Sequence, residues 1–202
     1  MSAIQLQPHL TFEEFLDYDT GTENLYELID GSLIAMSEPS RLHQRIARYL
    51  DLTFGDEIER LELPWEPVRN TAIKVPGRNL ADGRRPDLAI VTIPQTEEES
   101  QTKGIHTTPH MIVEIASSNW GEDLKRKVLA YAHLEVPEYW VIDYGGQIPE
   151  KHCDRGKGVK TIVYTLQGYG YVKQEFVGDE LIPCRTFPEV KLTTNLVVRA
   201  GK

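Results

Sequence analysis

Apolar positions recur along the chain with two periods, and the switches between them divide it into elements. Between Thr11 and Asp19, the residues Phe12, Phe15 and Leu16 share one side of a short amphipathic helix. Tyr26–Ile29 and Ser32–Met36 flank Asp30-Gly31, a pair that supplies the positive φ of a tight turn, and they read as an N-terminal β-hairpin. Pro39-Ser40 opens the next element. From there Ile46, Leu50, Phe54, Ile58 and Leu61 recur at helical spacing and predict a long amphipathic helix. Strands are expected around Trp65–Val75 and Leu88–Ile93, with Glu97–Lys103 as loop or short helix.

Met111–Ala116 is apolar except for Glu114, the pattern of a strand buried on both faces. Ser117–Gly121 reads as a turn and Glu122–Leu134 as a helix, which Val136-Pro137 stops before a second buried strand at Tyr139–Ile142. A strand, helix and strand of this length imply a right-handed parallel crossover. Thr161–Leu166 and Tyr171–Val177, around Gly168 and Gly170, make a C-terminal β-hairpin. The expected fold class is α/β: a mixed central β-sheet flanked by helices, with β-hairpins at both ends, in a single domain over residues 1–202.

Composition narrows the class. With 40% hydrophobic residues the chain buries a core without staples, and Cys153 and Cys184 are too few for a disulfide framework or a cysteine-built zinc site. No run approaches the roughly 20 apolar residues of a membrane span, and Met1–Leu10 lacks the pattern of a secretory signal. A cytoplasmic protein with no membrane partner is expected. The net charge of −9 is unevenly placed: residues 1–40 hold eight acids and no Lys or Arg. Residues 69–85 are locally basic, with Arg69, Lys74, Arg78, Arg84 and Arg85 against Asp82, and read either as loops able to meet phosphates or simply as solvated loops.

Three residues stand out chemically. Glu114 lies inside an apolar strand, where an unpaired carboxylate costs several kcal/mol; a cation, a metal or hydrogen bonds must compensate it. Asp87 immediately precedes the strand Leu88–Ile93, close to where a neighbouring strand would present Glu114. Two such carboxylates make a site for Mg²⁺ or Mn²⁺, which prefer oxygen ligands. Lys127 lies about 60° from the centre of the stripe Leu124, Val128 and Tyr131, at about 100° per residue, so its ammonium reaches toward the sheet; the competing reading pairs it outward with Asp123. Together they form a metal-dependent phosphodiester site. His106 and His110 lack further ligands, so zinc is not expected.

The chain resembles the Uma2 family, within the PD-(D/E)XK nuclease superfamily. The resemblance rests on Tyr-Glu-Leu-Ile-Asp-Gly at 26–31, Pro-Ser with a His at 39–43, Arg-Pro-Asp-Leu-Ala-Ile-Val at 85–91 and Ile-Val-Glu-Ile-Ala-Ser at 112–117. It continues through Asp-Leu-Lys-Arg-Lys-Val-Leu-Ala-Tyr at 123–131 and Val-Pro-Glu-Tyr-Trp-Val-Ile-Asp at 136–143. It implies a restriction-endonuclease-like core, with Asp87 and Glu114 as the two acidic motif positions. The motif lysine is missing: Ala116 stands two residues after Glu114, where it is usual. Lys127 from the following helix is the expected substitute, with Lys125 as the fallback. Glu27 is implied as a third acid, and His43 as a residue facing the same cleft.

The implied function is a Mg²⁺- or Mn²⁺-dependent endonuclease acting on DNA. Asp87, Glu114 and the Ile115 carbonyl would hold the ion, and Lys127 would assist the attacking water. By analogy with nucleases of this fold that pair to cut both strands, the chain would act as a homodimer. The rival reading is a catalytically inactive nuclease-like fold, kept as a DNA-binding or protein-interaction module; the absent strand lysine and the acidity support it.

Overall fold

The structure, a computed structural model, describes residues 9–19, 21–117 and 119–202. Most of the stretch judged above for a secretory signal, and Ser118 within the expected turn, lie outside them. Thr11 caps the first helix, α1 (Phe12–Asp17), through a capping box in which its hydroxyl accepts the Glu14 N–H and the Glu14 carboxylate accepts its own. The hairpin follows as β1 (Tyr26–Ile29) and β2 (Ser32–Ala35). Asp30 and Gly31 turn between them at φ 51° and 77°. Ser40 then accepts the His43 N–H and caps α2 (Arg41–Arg60), whose buried face carries the Ile46, Leu50, Phe54 and Ile58 of the predicted stripe.

The next region departs from expectation. Trp65–Val75 is two strands, β3 (Trp65–Val68) and β4 (Ile73–Val75), which belong to different sheets. Asn70 breaks the run in a left-handed conformation (φ 53°), and its N–H bonds to the Pro86 carbonyl. The expected basic loop holds a further strand, β5 (Asp82–Arg84). Then come β6 (Leu88–Thr92), α3 (Glu97–Gln101) and β7 (Met111–Ile115).

The predicted helix over 122–134 is also two pieces, α4 (Trp120–Leu124) and α5 (Arg126–His133), parted at Lys125 (φ −125°, ψ −71°). A buried Tyr139 hydroxyl donates at 2.9 Å to the Asp123 carbonyl, the acceptor that an unbroken helix reserves for the Lys127 N–H. The chain continues through β8 (Glu138–Asp143), a 3₁₀ turn at Glu150–His152, β9 (Lys160–Gln167) and β10 (Gly170–Phe176). It ends with β11 (Leu181–Ile182), β12 (Leu192–Thr193) and α6 (Thr194–Ala200), which the periodicity did not announce.

The central sheet has the order β10-β9-β8-β7-β6-β3, mixed because β7 and β8 run parallel while its other pairs are antiparallel. A second sheet, β2-β1-β5-β4, packs Leu28 and Ala72 against Leu10 and the α1 residues Phe12 and Phe15. Gly83 is required there, since a Cβ would meet the Phe15 ring at 2.8 Å. On the central sheet Met111, Val113 and Ile115 share a core with α2, whereas Ile112 and Ala116 share one with Ala130 and Tyr131 of α5. Alternation therefore turns Glu114 toward α5. Among the described residues no helix is long and apolar enough to cross a membrane.

Candidate active site

The two sheets meet at the loop Arg85–Asp87, which carries the chain from β5 to β6. Leu88 pairs with Val113 in the antiparallel β6–β7 ladder, so Asp87 lies one residue beyond the last pair, alongside Glu114. Its carboxylate is held twice: Oδ2 accepts the Ile115 N–H at 2.7 Å, and Oδ1 accepts His43 Nε2 at 2.8 Å. His43 reaches it from the first turn of α2 and packs edge-on against Tyr144, whose hydroxyl bonds to Ser40.

Glu114 is buried, with a side chain 5% exposed. Lys127 Nζ and the Tyr131 hydroxyl both donate to its Oε1 at 2.9 Å. The same ammonium lies 3.4 Å from Glu27 Oε1, on β1 of the second sheet, and 3.4 Å from Asp123 Oδ1, four residues back. Glu27 in turn accepts the Arg85 N–H at 3.0 Å and pairs at 3.3 Å with Arg84, which also pairs with Asp82. One ammonium thus joins three carboxylates drawn from β1, β7 and α4. The inward and outward readings of Lys127 both hold in part: it reaches Glu114 and also pairs with Asp123, which is buried rather than solvent-facing.

The electrostatics follow from that crowding. Burial pushes the Glu114 carboxyl well above its ordinary range; Lys127 draws it down, and Asp123, Asp87 and Glu27 push it further up. Asp123 is likewise raised, first by burial. Burial also disfavours the charge on Lys127, yet Glu114, Glu27 and Asp123 hold its pKa well above the usual lysine range. Glu27 behaves differently. Burial alone would raise it, but Lys127, Arg84 and the Arg85 N–H together keep it below its ordinary value.

All four side chains expected at the site, Asp87, Glu114, Lys127 and Glu27, come together. Ala116 is buried in the apolar cluster under α5, so the usual lysine position carries no charge, and Lys125 is exposed. Two contributors were missed. Tyr131 and Asp123 stand in the family motif at 123–131, but the sequence gives them no site role beyond an apolar stripe and an outward partner of Lys127. The spacing 127, 131 places Lys127 and Tyr131 on one face of α5, and the i, i+4 spacing of Asp123 and Lys127 survives as an ion pair across the break at Lys125. Of the five basic residues over 69–85, Arg78 is exposed, and the other four have partners within the fold. Arg84 is buried between Glu27 and Asp82, Arg69 pairs with Asp51, Lys74 pairs with Glu13, and Arg85 bonds the carbonyls of Tyr26 and Asn70. His110 stacks on Trp65 and His106 packs on Phe12, as side chains of the fold.

Among the described residues no three His, Cys, Asp or Glu side chains form a ready-made metal cage. The donors available are fewer and all oxygen: both Glu114 bonds fall on Oε1, and Oε2 accepts none among the described residues.

Comparison with known proteins finds matches to a family model and to solved structures. The model of the Uma2 family, described as "Putative restriction endonuclease", matches residues 12–195. Among solved structures, the chain is similar to one described as "a putative nuclease belonging to DUF820" from Anabaena variabilis, with a TM-score of 0.75 and 18% identity. That likeness covers 96% of this chain and 99% of the other, and at such an identity it speaks for the fold. No curated protein matches.

Proposed function

The chain belongs to the Uma2 family, and on that footing we propose that it is a metal-dependent endonuclease hydrolysing DNA phosphodiester bonds. The observation that carries the reading is the contact of Lys127 Nζ with Glu114 at 2.9 Å. It brings to the buried acid, from a neighbouring helix, the ammonium that Ala116 does not supply. Asp87 and Glu114 are the acidic pair.

The donor set fits Mg²⁺ or Mn²⁺, which bind through one or two carboxylates and keep several waters instead of requiring a protein cage. Asp87, Glu114 through its unbonded Oε2, and the Ile115 carbonyl would hold the ion. When bound, it supplies Lewis-acid polarisation of a phosphoryl oxygen and a lowered pKa for water. The chain's own groups do the rest. Lys127 orients the attacking water and offsets charge developing on the phosphoryl group. Glu27 and Asp123 hold that ammonium in place, and His43 with the Ile115 N–H orients Asp87.

The test is Mn²⁺ titration calorimetry of the wild type beside Glu114→Ala, followed by DNA cleavage by the wild type, Asp87→Ala and Glu114→Ala. Saturable binding lost in the variant, and cleavage abolished in both variants, are expected. Cleavage that persists in purified variants would falsify the assignment. A folded wild type that binds no Mn²⁺, even with a short duplex present, would favour the non-catalytic module.

A further inference from the structure

Lys127 and Tyr131 do not share Glu114 evenly with its two oxygens. Both donate to Oε1, and Oε2 is left without a hydrogen bond among the described residues. The two donors differ in kind. Lys127 divides its ammonium among Glu114, Glu27 and Asp123, whereas the Tyr131 hydroxyl donates only to Glu114. The Tyr131 ring is wholly buried and packs edge-on against Tyr139 at 5.0 Å, so its hydroxyl has little freedom to turn elsewhere.

An ionised carboxylate offers about four lone-pair positions over two oxygens. With Oε1 filled by two donors, Glu114 presents one oxygen to a cation. Ca²⁺ takes six to eight oxygens and often fills that larger shell by using a carboxylate through both, whereas Mg²⁺ demands a small octahedral shell. We propose that Tyr131 is a positioning residue that closes Oε1, makes Glu114 a one-oxygen ligand, and so biases the site toward Mg²⁺ and Mn²⁺ and against Ca²⁺. This rests on the metal site proposed above.

The experiment is calorimetric titration of MnCl₂, MgCl₂ and CaCl₂ into the wild type, Tyr131→Phe and Tyr139→Phe. The last variant removes a neighbouring buried hydroxyl that bonds the Asp123 carbonyl and not Glu114. The wild type is expected to prefer Mn²⁺ and Mg²⁺. Tyr131→Phe should narrow the Mn²⁺-to-Ca²⁺ affinity ratio roughly tenfold, the scale of one hydrogen bond to a charged group. Tyr139→Phe should leave the ratio unchanged. A ratio unmoved by Tyr131→Phe, or moved equally by Tyr139→Phe, overturns this inference and leaves the metal site standing; a wild type that binds none of the three ions overturns both. If Tyr131→Phe does not fold, infrared difference spectra of the wild type on adding Mn²⁺ decide. The carboxylate bands absent from Glu114→Gln should show the wide splitting of one-oxygen ligation, and a narrow, two-oxygen splitting overturns the proposal.

Discussion

Asp87 Oδ2 accepts the Ile115 backbone N–H at 2.7 Å, and that bond ties the loop between the two sheets to the strand that carries Glu114. The two carboxylates are therefore brought together by backbone geometry, with their mutual repulsion built into the fold. His43 on the other oxygen completes the hold.

Replacing Asp87 separates its structural bonds from its charge. Asp87→Asn keeps an acceptor for one of its two donors and should change stability by about 1 kcal/mol or less, while Asp87→Ala leaves both donors unpaired and should cost about 1–3 kcal/mol. Both variants should lose Mn²⁺ binding. Urea unfolding beside calorimetry checks the pair, and an Asn variant that binds Mn²⁺ like the wild type would remove Asp87 from the ion's shell.

Lys127 is the ammonium common to Glu27, Glu114 and Asp123. Lys127→Met should destabilise the protein by about 3–5 kcal/mol near neutral pH, because it strands buried carboxylates, and by less in acid, where they protonate. Cleavage should vanish under folding conditions. Adding Ala116→Lys should not restore it, since position 116 is packed among apolar side chains that leave no room for a longer one. Urea midpoints and a cleavage assay on the two variants test this.

The pH dependence carries opposite contributions. Glu114 and Asp123 have folded-state pKa values raised by burial, so their contribution is full below the ordinary carboxylate range and is lost as pH rises through those raised values. Glu175 runs the other way. Burial would raise it, but Lys173 and the N–H groups of Asp154 and Arg155 outweigh that and hold it at about 2. Its contribution is present above the ordinary value of 4.5 and is lost as pH falls toward about 2. Stability measured from about pH 2 to about pH 8 should lose part of its alkaline-side decline in Glu114→Gln and part of its acid-side decline in Glu175→Gln. Parallel curves for wild type and variants would contradict both assignments.

Arg84 belongs to the fold and not to a polyanion surface. Its side chain is 2% exposed between Glu27 and Asp82. Arg84→Met should cost about 3–5 kcal/mol in chemical denaturation while leaving the salt dependence of any DNA binding unchanged. A shallower salt slope in the folded variant would return this residue to the phosphate-binding surface.

The sequence by itself determined the elements that have a periodic face. The α2 stripe, the Asp30-Gly31 hairpin and the apolar runs of β7 and β8 were legible because burial of one face or both writes a period into the chain. Glu114 was legible for the same reason, as a charge where the pattern demands none. Lys127 followed from helical spacing, which is local geometry.

Only the tertiary structure decided which groups meet. Trp65–Val75 reads as one strand until Asn70 turns the chain into a second sheet, and that sheet is what carries Glu27 to Lys127 and buries Arg84. The break at Lys125 depends on a Tyr139 hydroxyl from another strand, and the short β11 and β12 exist by pairing with each other across nine intervening residues. Spacing along a chain fixes which side chains share a face. Which carboxylates share one ammonium is set by how two sheets and two short helices pack, and no local period encodes that.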